Sequence, residues 1–156
     1  MHLIETQSKY TLADWSFCYS RDHFLPVYEE SFPEDQRPRM ALEAALDHLN
    51  GTVKTAELKK RIKEATSAAK EAEYSPAAQA AARAISTAAS VINSPTGALG
   101  MTFYGAAAMA YHRLGVSESA KTYDKMAAEL FDDMLLSLQN VPVADEPNPV
   151  KVNWYC

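Results

Sequence analysis

Glycine is scarce in this chain, at 5 residues in 156, and cysteine and tryptophan are scarcer, at 2 each. Few glycines beside long alanine-filled segments favour helix over sheet. No stretch alternates with period two for long enough to claim a strand. The two cysteines, Cys18 and Cys156, cannot build a disulfide framework and stand in no Cys-x-x-Cys pair. Cys156 is not part of a prenylation box, and Cys18 falls in an apolar helical pattern that suggests a buried free thiol. The most apolar window, residues 98–111, is shorter than the roughly 20 residues needed to cross a bilayer. The first five residues have neither a basic start nor a long apolar run, so no signal peptide and a cytoplasmic location are expected, with no membrane partner.

Catalytic signatures are equally sparse. There is no Gly-rich phosphate loop and no nucleophile elbow. The Glu-x-x-His pair of di-iron bundles and the zinc-protease pattern are missing, so His2, His23, His48 and His112 read as structural. Adjacent acids at Glu29-Glu30, Glu34-Asp35 and Asp132-Asp133 point about 100° apart on a helix and read as solvated faces. No catalytic, cofactor-binding or metal-ligating residue is assigned, and no cofactor is expected.

What is present suits a globular protein: 47% hydrophobic and 22% charged residues, in a length that buries roughly 70% of its unfolded surface. The net charge of -5 disfavours nucleic acid as a partner and favours a basic one. Residues 54–70 are locally basic, but Lys59, Lys60, Arg61 and Lys63 together spread over more than half a helix circumference. They form no single stripe for a nucleic acid.

Apolar periodicity and stop signals predict about six helices. The first is capped by Thr11 and kinked or broken by Pro26 near residues 23–25. The second has Pro38 in its first turn and ends at Asn50-Gly51. Thr55 caps a third, to about Glu73. Ser75-Pro76 opens a fourth, reaching Asn93, and a turn over residues 93–97 leads to a fifth, over residues 98–114, closed by Gly115. Ser117 caps a sixth with a stripe of Ala120, Tyr123, Ala127, Leu130, Met134 and Leu138. Alanines at 77, 78, 80–82, 84, 88 and 89, then 106–108 and 110, let helix axes approach closely. Trp15, Tyr28, Phe103 and Phe131 are expected to supply bulk around them. The expected fold is all-α: a compact bundle over residues 1–140 with an alanine-rich centre. An irregular Pro-rich tail, residues 141–156, would pack back on it through Val150, Val152, Trp154 and Tyr155.

One stretch reads as a signature: Pro33-Glu34-Asp35-Gln36-Arg37-Pro38-Arg39. Arg37 and Arg39 stand at a helix start, where the macrodipole disfavours cations by some tenths of a kcal/mol, so they need compensation. Asp35 is placed to cap that helix, and Glu43 lies four residues after Arg39. Asp14, Asp22 or Glu30 of the first helix are further candidates for pairing. The arrangement is either a clasp between the first two helices or an arginine pair presented to a partner. The candidate binding residues are Trp15, Arg21, Asp35, Arg37 and Arg39.

Asp14-Trp15, Cys18, Arg21, Leu25-Pro26, Tyr28-Glu29, the Pro33, Asp35, Arg37-Pro38-Arg39 turn, Ala41-Leu42-Glu43-Ala44 and Gly51 resemble the opening half of the immunity-five-like group of putative immunity proteins. Ala81-Ala82-Arg83 and the stretch from Tyr104 to Tyr111 are also similar, so the resemblance spans roughly residues 14–115. It implies a cytoplasmic, all-helical, non-enzymatic protein of a bacterial polymorphic-toxin system that binds and neutralises a toxin. Members typically carry a tryptophan before the glycine ending the second helix and a histidine in the alanine-rich part. Leu49 and Asn93 or Ser94 stand near those places here, which speaks against a shared histidine site. An enzyme or small-ligand-binding bundle, with a site near the first two helices, is the alternative. Homo-oligomerisation is left open.

Overall fold

The computed structural model describes residues 2–141 and 144–152, and these form helices and connecting turns with no strand among them. A short α1 (His2–Glu5), announced by no cap or apolar period, precedes α2 (Lys9–Tyr19). The cap of α2 is Ser8 and not the expected Thr11. Ser8 has the extended backbone of an N-cap, and its hydroxyl accepts the Thr11 N–H at 3.2 Å.

Pro26 does not break the helix that follows. Residues 20–24 widen into a π-helical turn, in which the Leu25 N–H donates to Ser20 C=O five residues back, and α3 (Leu25–Ser31) continues directly. Proline has no N–H for the Asp22 carbonyl, and its ring would crowd that carbonyl in a regular α-turn; a wider turn relieves the conflict. The extra residue also carries Phe24 into full burial. Its ring lies where a side chain on Gly105 would stand, with Cε1 and Cε2 each 2.7 Å from the position of a Cβ there.

Then come α4 (Arg37–Leu49), closed by Gly51 at φ +80°, and α5 (Thr55–Glu71). Thr55 is the first residue of α5 rather than its cap; Lys54 takes the cap position with no side-chain bond. Ser75 caps α6 (Pro76–Ser90), α7 (Gly97–Leu114) ends at Gly115, and α8 (Ala120–Gln139) is capped by Ser119 and not by Ser117. Ser119 has the extended φ/ψ of a cap and accepts from Thr122 N–H at 3.2 Å.

The fold is the expected all-α bundle, with α6 at its centre. It packs on α2, α3, α4, α5 and α7, and its buried residues, Ala78, Ala80, Ala81, Ala82, Ala84, Ile85, Ser86, Ala88 and Ala89, cover about two thirds of its circumference, with Arg83 exposed on the remaining stripe. A helix pressed by neighbours over most of its surface must be thin there, and alanine supplies that. Gly97 and Gly100 extend the close approach to α7, since a Cβ on either would lie 3.1 Å from an atom of Thr87. Trp15 and Tyr28 supply core bulk as expected. Phe103 does not; it is 57% exposed and meets Phe131 edge-on at 5.4 Å. Helix α8 packs chiefly on α7, so only Leu130, Met134 and Leu138 of its stripe are buried.

Of the tail, Val150 N–H donates to Gln7 C=O at 2.9 Å, and the Glu146 carboxylate accepts from Thr11 Oγ1 at 3.4 Å. Trp154, Tyr155 and Cys156 lie outside the described residues, as do Pro142 and Val143.

Candidate functional site

The signature lies between three helices. After α3 the chain turns through residues 32–36, with Asp35 N–H bonded to Phe32 C=O, and Pro38 stands in the first turn of α4. Asp35 Oδ1 accepts the Arg37 N–H at 3.1 Å, capping the helix start from one position outside its end. The same carboxylate accepts from Arg37 Nε at 2.9 Å and Nη2 at 2.7 Å, and from the Tyr28 hydroxyl at 2.6 Å. Arg37 then reaches across to α5, where Nη1 and Nη2 donate to the two oxygens of Glu71 at 3.1 and 2.7 Å. Arg39 turns the other way, gripping Glu29 of α3 through Nε at 2.8 Å and Nη2 at 2.7 Å.

These contacts differ from the pairings proposed for the arginines. None of Asp14, Asp22, Glu30 or Glu43 pairs with Arg37 or Arg39. Asp22 bonds its neighbour Arg21 at 2.8 Å, and Glu30 faces His112 at 3.4 Å. The forked geometry decides the outcome, because each guanidinium meets a carboxylate that it can grip through two nitrogens. The result joins α3 to α4 twice and α4 to the end of α5.

The charges respond accordingly. Hydrogen bonds from Arg37 hold the Asp35 carboxyl at about 2, with Tyr28 adding to the effect and burial opposing it. Burial, then the bond to Asp35, pushes the Tyr28 phenol up. Glu71 is lowered by its bonds to Arg37, and both arginines are raised by their carboxylates. A guanidinium held by two carboxylates has little capacity left for an external anion. Asp35 and Arg37 are therefore placed as a clasp.

Arg21 and Arg39 instead flank a cleft between α2 and α4, with Phe17, Leu25, Leu42 and Leu46 as its apolar lining and Cys18 and Glu43 at its edge. Its volume is ≈ 90 Å³. Cys18 is half-buried rather than buried. Burial pushes its thiol up, and Asp14 adds to this, so the reactive thiolate is disfavoured. Trp15 is 4% exposed and donates its indole N–H to Ser137 Oγ at 3.1 Å, tying α2 to α8. His23 stacks on Tyr19 at 4.2 Å. The five predicted site residues thus do not converge on one point: Asp35 and Arg37 form the clasp, Arg21 and Arg39 border the cleft, and Trp15 lies beneath α8. Glu29, Glu71 and Tyr28 complete the clasp; Glu71, 34 residues from Arg37 in the chain, carried no local signal.

On α5, Arg61 turns to Glu57 and Glu64 of its own helix at 2.9 and 3.1 Å. Lys59, Lys60, Lys63 and Lys70 all stay exposed. Without Arg61 these lysines fall within roughly 100° of the circumference at 100° per residue, so they do share one side.

Among the described residues no group of His, Cys, Asp and Glu is placed to hold a metal ion, and no helix is long and apolar enough to cross a membrane. No curated protein and no solved structure matches the chain. A family model does, over residues 2–135, which takes in every helix of the bundle except the last turn of α8. The chain belongs to the Imm-5 like putative immunity protein family.

Proposed function

We propose that the protein is a non-enzymatic inhibitor that neutralises a cognate toxin by binding it directly, in the cytoplasm of a bacterium. The observation that carries this reading is the family match across residues 2–135. The chemistry of the chain is in keeping with it. The most reactive groups near the first two helices are engaged or subdued: Asp35 and Arg37 in the clasp, Cys18 by burial of its thiol. The cleft between α2 and α4, at ≈ 90 Å³, and the hollow beside Trp15, Cys18 and His23, at ≈ 240 Å³, are below the roughly 300 Å³ at which small-molecule sites begin, so a metabolite bound near the first two helices is the weaker alternative. A net charge of -5 steers the protein towards a basic partner and away from nucleic acid.

The test is co-expression with the product of the adjacent gene. Survival of cells that die without this protein, and a stoichiometric complex by native mass spectrometry, are the expected results. Death in its presence with no complex sinks the proposal. Turnover of toxin or metabolite by the purified protein would move it to an enzyme.

A further inference from the structure

Helix α8 is apolar on more of its circumference than the bundle covers. Leu130, Met134 and Leu138 face inward, yet Leu135 and Leu136 remain 46% and 58% exposed. On α7, Phe103 is 57% exposed and meets Phe131 of α8 edge-on. Between the two helices runs a groove of ≈ 400 Å³, floored by Ala106, Ala107, Ala110 and Ala127 and walled by Phe103, Tyr111, Tyr123 and Phe131. Alanine on both facing helices leaves this space open. Phe131 also borders a second hollow of ≈ 210 Å³, lined by the exposed Leu135 and the half-buried Leu3 and Leu99, with Leu138 at its buried base. Two adjoining apolar hollows divided by one aromatic ring are suited to bulky side chains on successive turns of a helix.

The charges at the groove narrow the choice of occupant. Asp124 borders the first hollow and Asp132 the second, and they are the charged residues that line them. Neither has an ion pair among the described residues. Eight residues of α8 separate them, or ~12 Å at 1.5 Å per residue. A second copy of this chain docked through the same face would bring these acids together with no basic partner in the lining, which costs affinity. A helix with lysine or arginine about two turns apart would match them.

We propose that the α7–α8 groove is the docking site for a basic amphipathic helix of a partner protein, with its apolar side chains set on both sides of Phe131 and its cations at Asp124 and Asp132. This deepens the toxin-binding reading and rests on it for the partner's being a protein, but it specifies the face and the chemistry. Arg37, Arg39 and the cleft beside Cys18 then take no part in recognition.

The experiment uses the full chain and two synthetic probes: a Leu/Lys amphipathic peptide of about four turns, with lysines two turns apart, and its Leu/Glu counterpart. Expected is saturable one-to-one binding of the lysine peptide, with backbone amide shifts concentrated in α7 and α8. The glutamate peptide should bind at least about tenfold more weakly. Phe103→Glu, at an exposed position, and Ala107→Arg, which fills the floor, should each weaken binding about tenfold while circular dichroism is unchanged. The paired substitution D124K/D132K should reverse the peptide preference. Equal affinity for both peptides, or shifts located on α5 or α2, overturns the proposal. So does a dimer that Phe103→Glu dissociates, because the occupant is then a second copy. If the toxin is still bound and neutralised by the Phe103→Glu protein, this docking face is wrong while the toxin-binding function stands.

Discussion

Replacing Asp35 by asparagine removes the charge on which the clasp depends while nearly preserving its shape. The carboxylate accepts from Arg37 Nε, Arg37 Nη2, the Arg37 backbone N–H and the Tyr28 hydroxyl, and its side chain is 18% exposed. A carboxyl held at about 2 instead of its ordinary 3.8 corresponds to nearly 2.5 kcal/mol of preference for the charged, folded form, at ~1.36 kcal/mol per pH unit. Screening by the partly open surroundings reduces this to about 1–2 kcal/mol. Leaving Arg37 with only the exposed Glu71 adds some of the cost of an under-paired cation, so Asp35→Asn should lose about 2 kcal/mol at pH 7. For a protein of this size that is a fall of roughly 4–8 °C in Tm. The sign with pH follows from the depressed value. Stability from Asp35 is fully present above 3.8 and is lost as pH falls through about 2. Urea unfolding of both proteins at pH 7, 4 and 2 reads this directly: the gap should be full at pH 7, almost full at pH 4 and nearly closed at pH 2. Equal midpoints at pH 7 would refute the clasp. A gap that persists undiminished at pH 2 would show that shape, and not charge, is responsible.

Arg37→Lys should recover less than half of what Arg37→Ala loses in urea midpoint, since an ammonium cannot fork between Asp35 and Glu71. Gly105→Ala, a change that ordinarily strengthens a helix, should destabilise by about 1–3 kcal/mol because its methyl meets the buried Phe24 ring, and Phe24→Leu in the same chain should recover part of the loss. In a Cys156→Ser background, Cys18 should react with iodoacetamide at pH 7.5 more slowly than free cysteine, because burial disfavours its thiolate; a faster rate contradicts the protected-thiol picture. The intact protein should pass through a DNA column at about 150 mM salt despite the lysines on α5, and retention that falls steeply with salt would restore nucleic acid as a partner.

The alanine pattern made the centre of the fold readable. Alanines over more than half the circumference of residues 76–90 left only a narrow polar stripe with Gln79 and Arg83, and the structure packs five other helices on the rest. Pro26 marked the place of a disturbance but not its kind. A proline's clash with the carbonyl four residues back can be relieved by a break, a kink or a wider turn, and the packing of Phe24 on Gly105 accompanies the third. Caps misplaced by two or three residues came from runs with competing hydroxyls. Ser8 and Thr11, like Ser117 and Ser119, share the right chemistry, and only backbone angles separate them. That Phe103 lies outside the core is not legible in the sequence, because periodicity identifies an apolar residue without saying whether its face of the helix has a neighbour. The partner of Arg37 on α5 was unreadable for a related reason: a contact between residues 34 apart depends on how the helices stack.

The clasp and the proposed recognition face therefore occupy different parts of the molecule. The arginines that make the signature conspicuous are turned back on carboxylates of their own chain, where each forked bond fixes the angle between α3, α4 and α5. What the bundle leaves outward is less conspicuous in sequence. Alanine permits close packing only where a second helix arrives to use it; on the inner side of α7 that helix is α6, while Ala106, Ala107 and Ala110 also floor the groove beside α8. The small side chains that tighten the core thus open a hollow at its edge, with aromatic walls and with Asp124 and Asp132, which form no ion pair among the described residues, at its border and that of the adjoining hollow. On the proposed reading, substitutions along α7 and α8 adjust which partner the protein fits while the charged clasp stays unchanged.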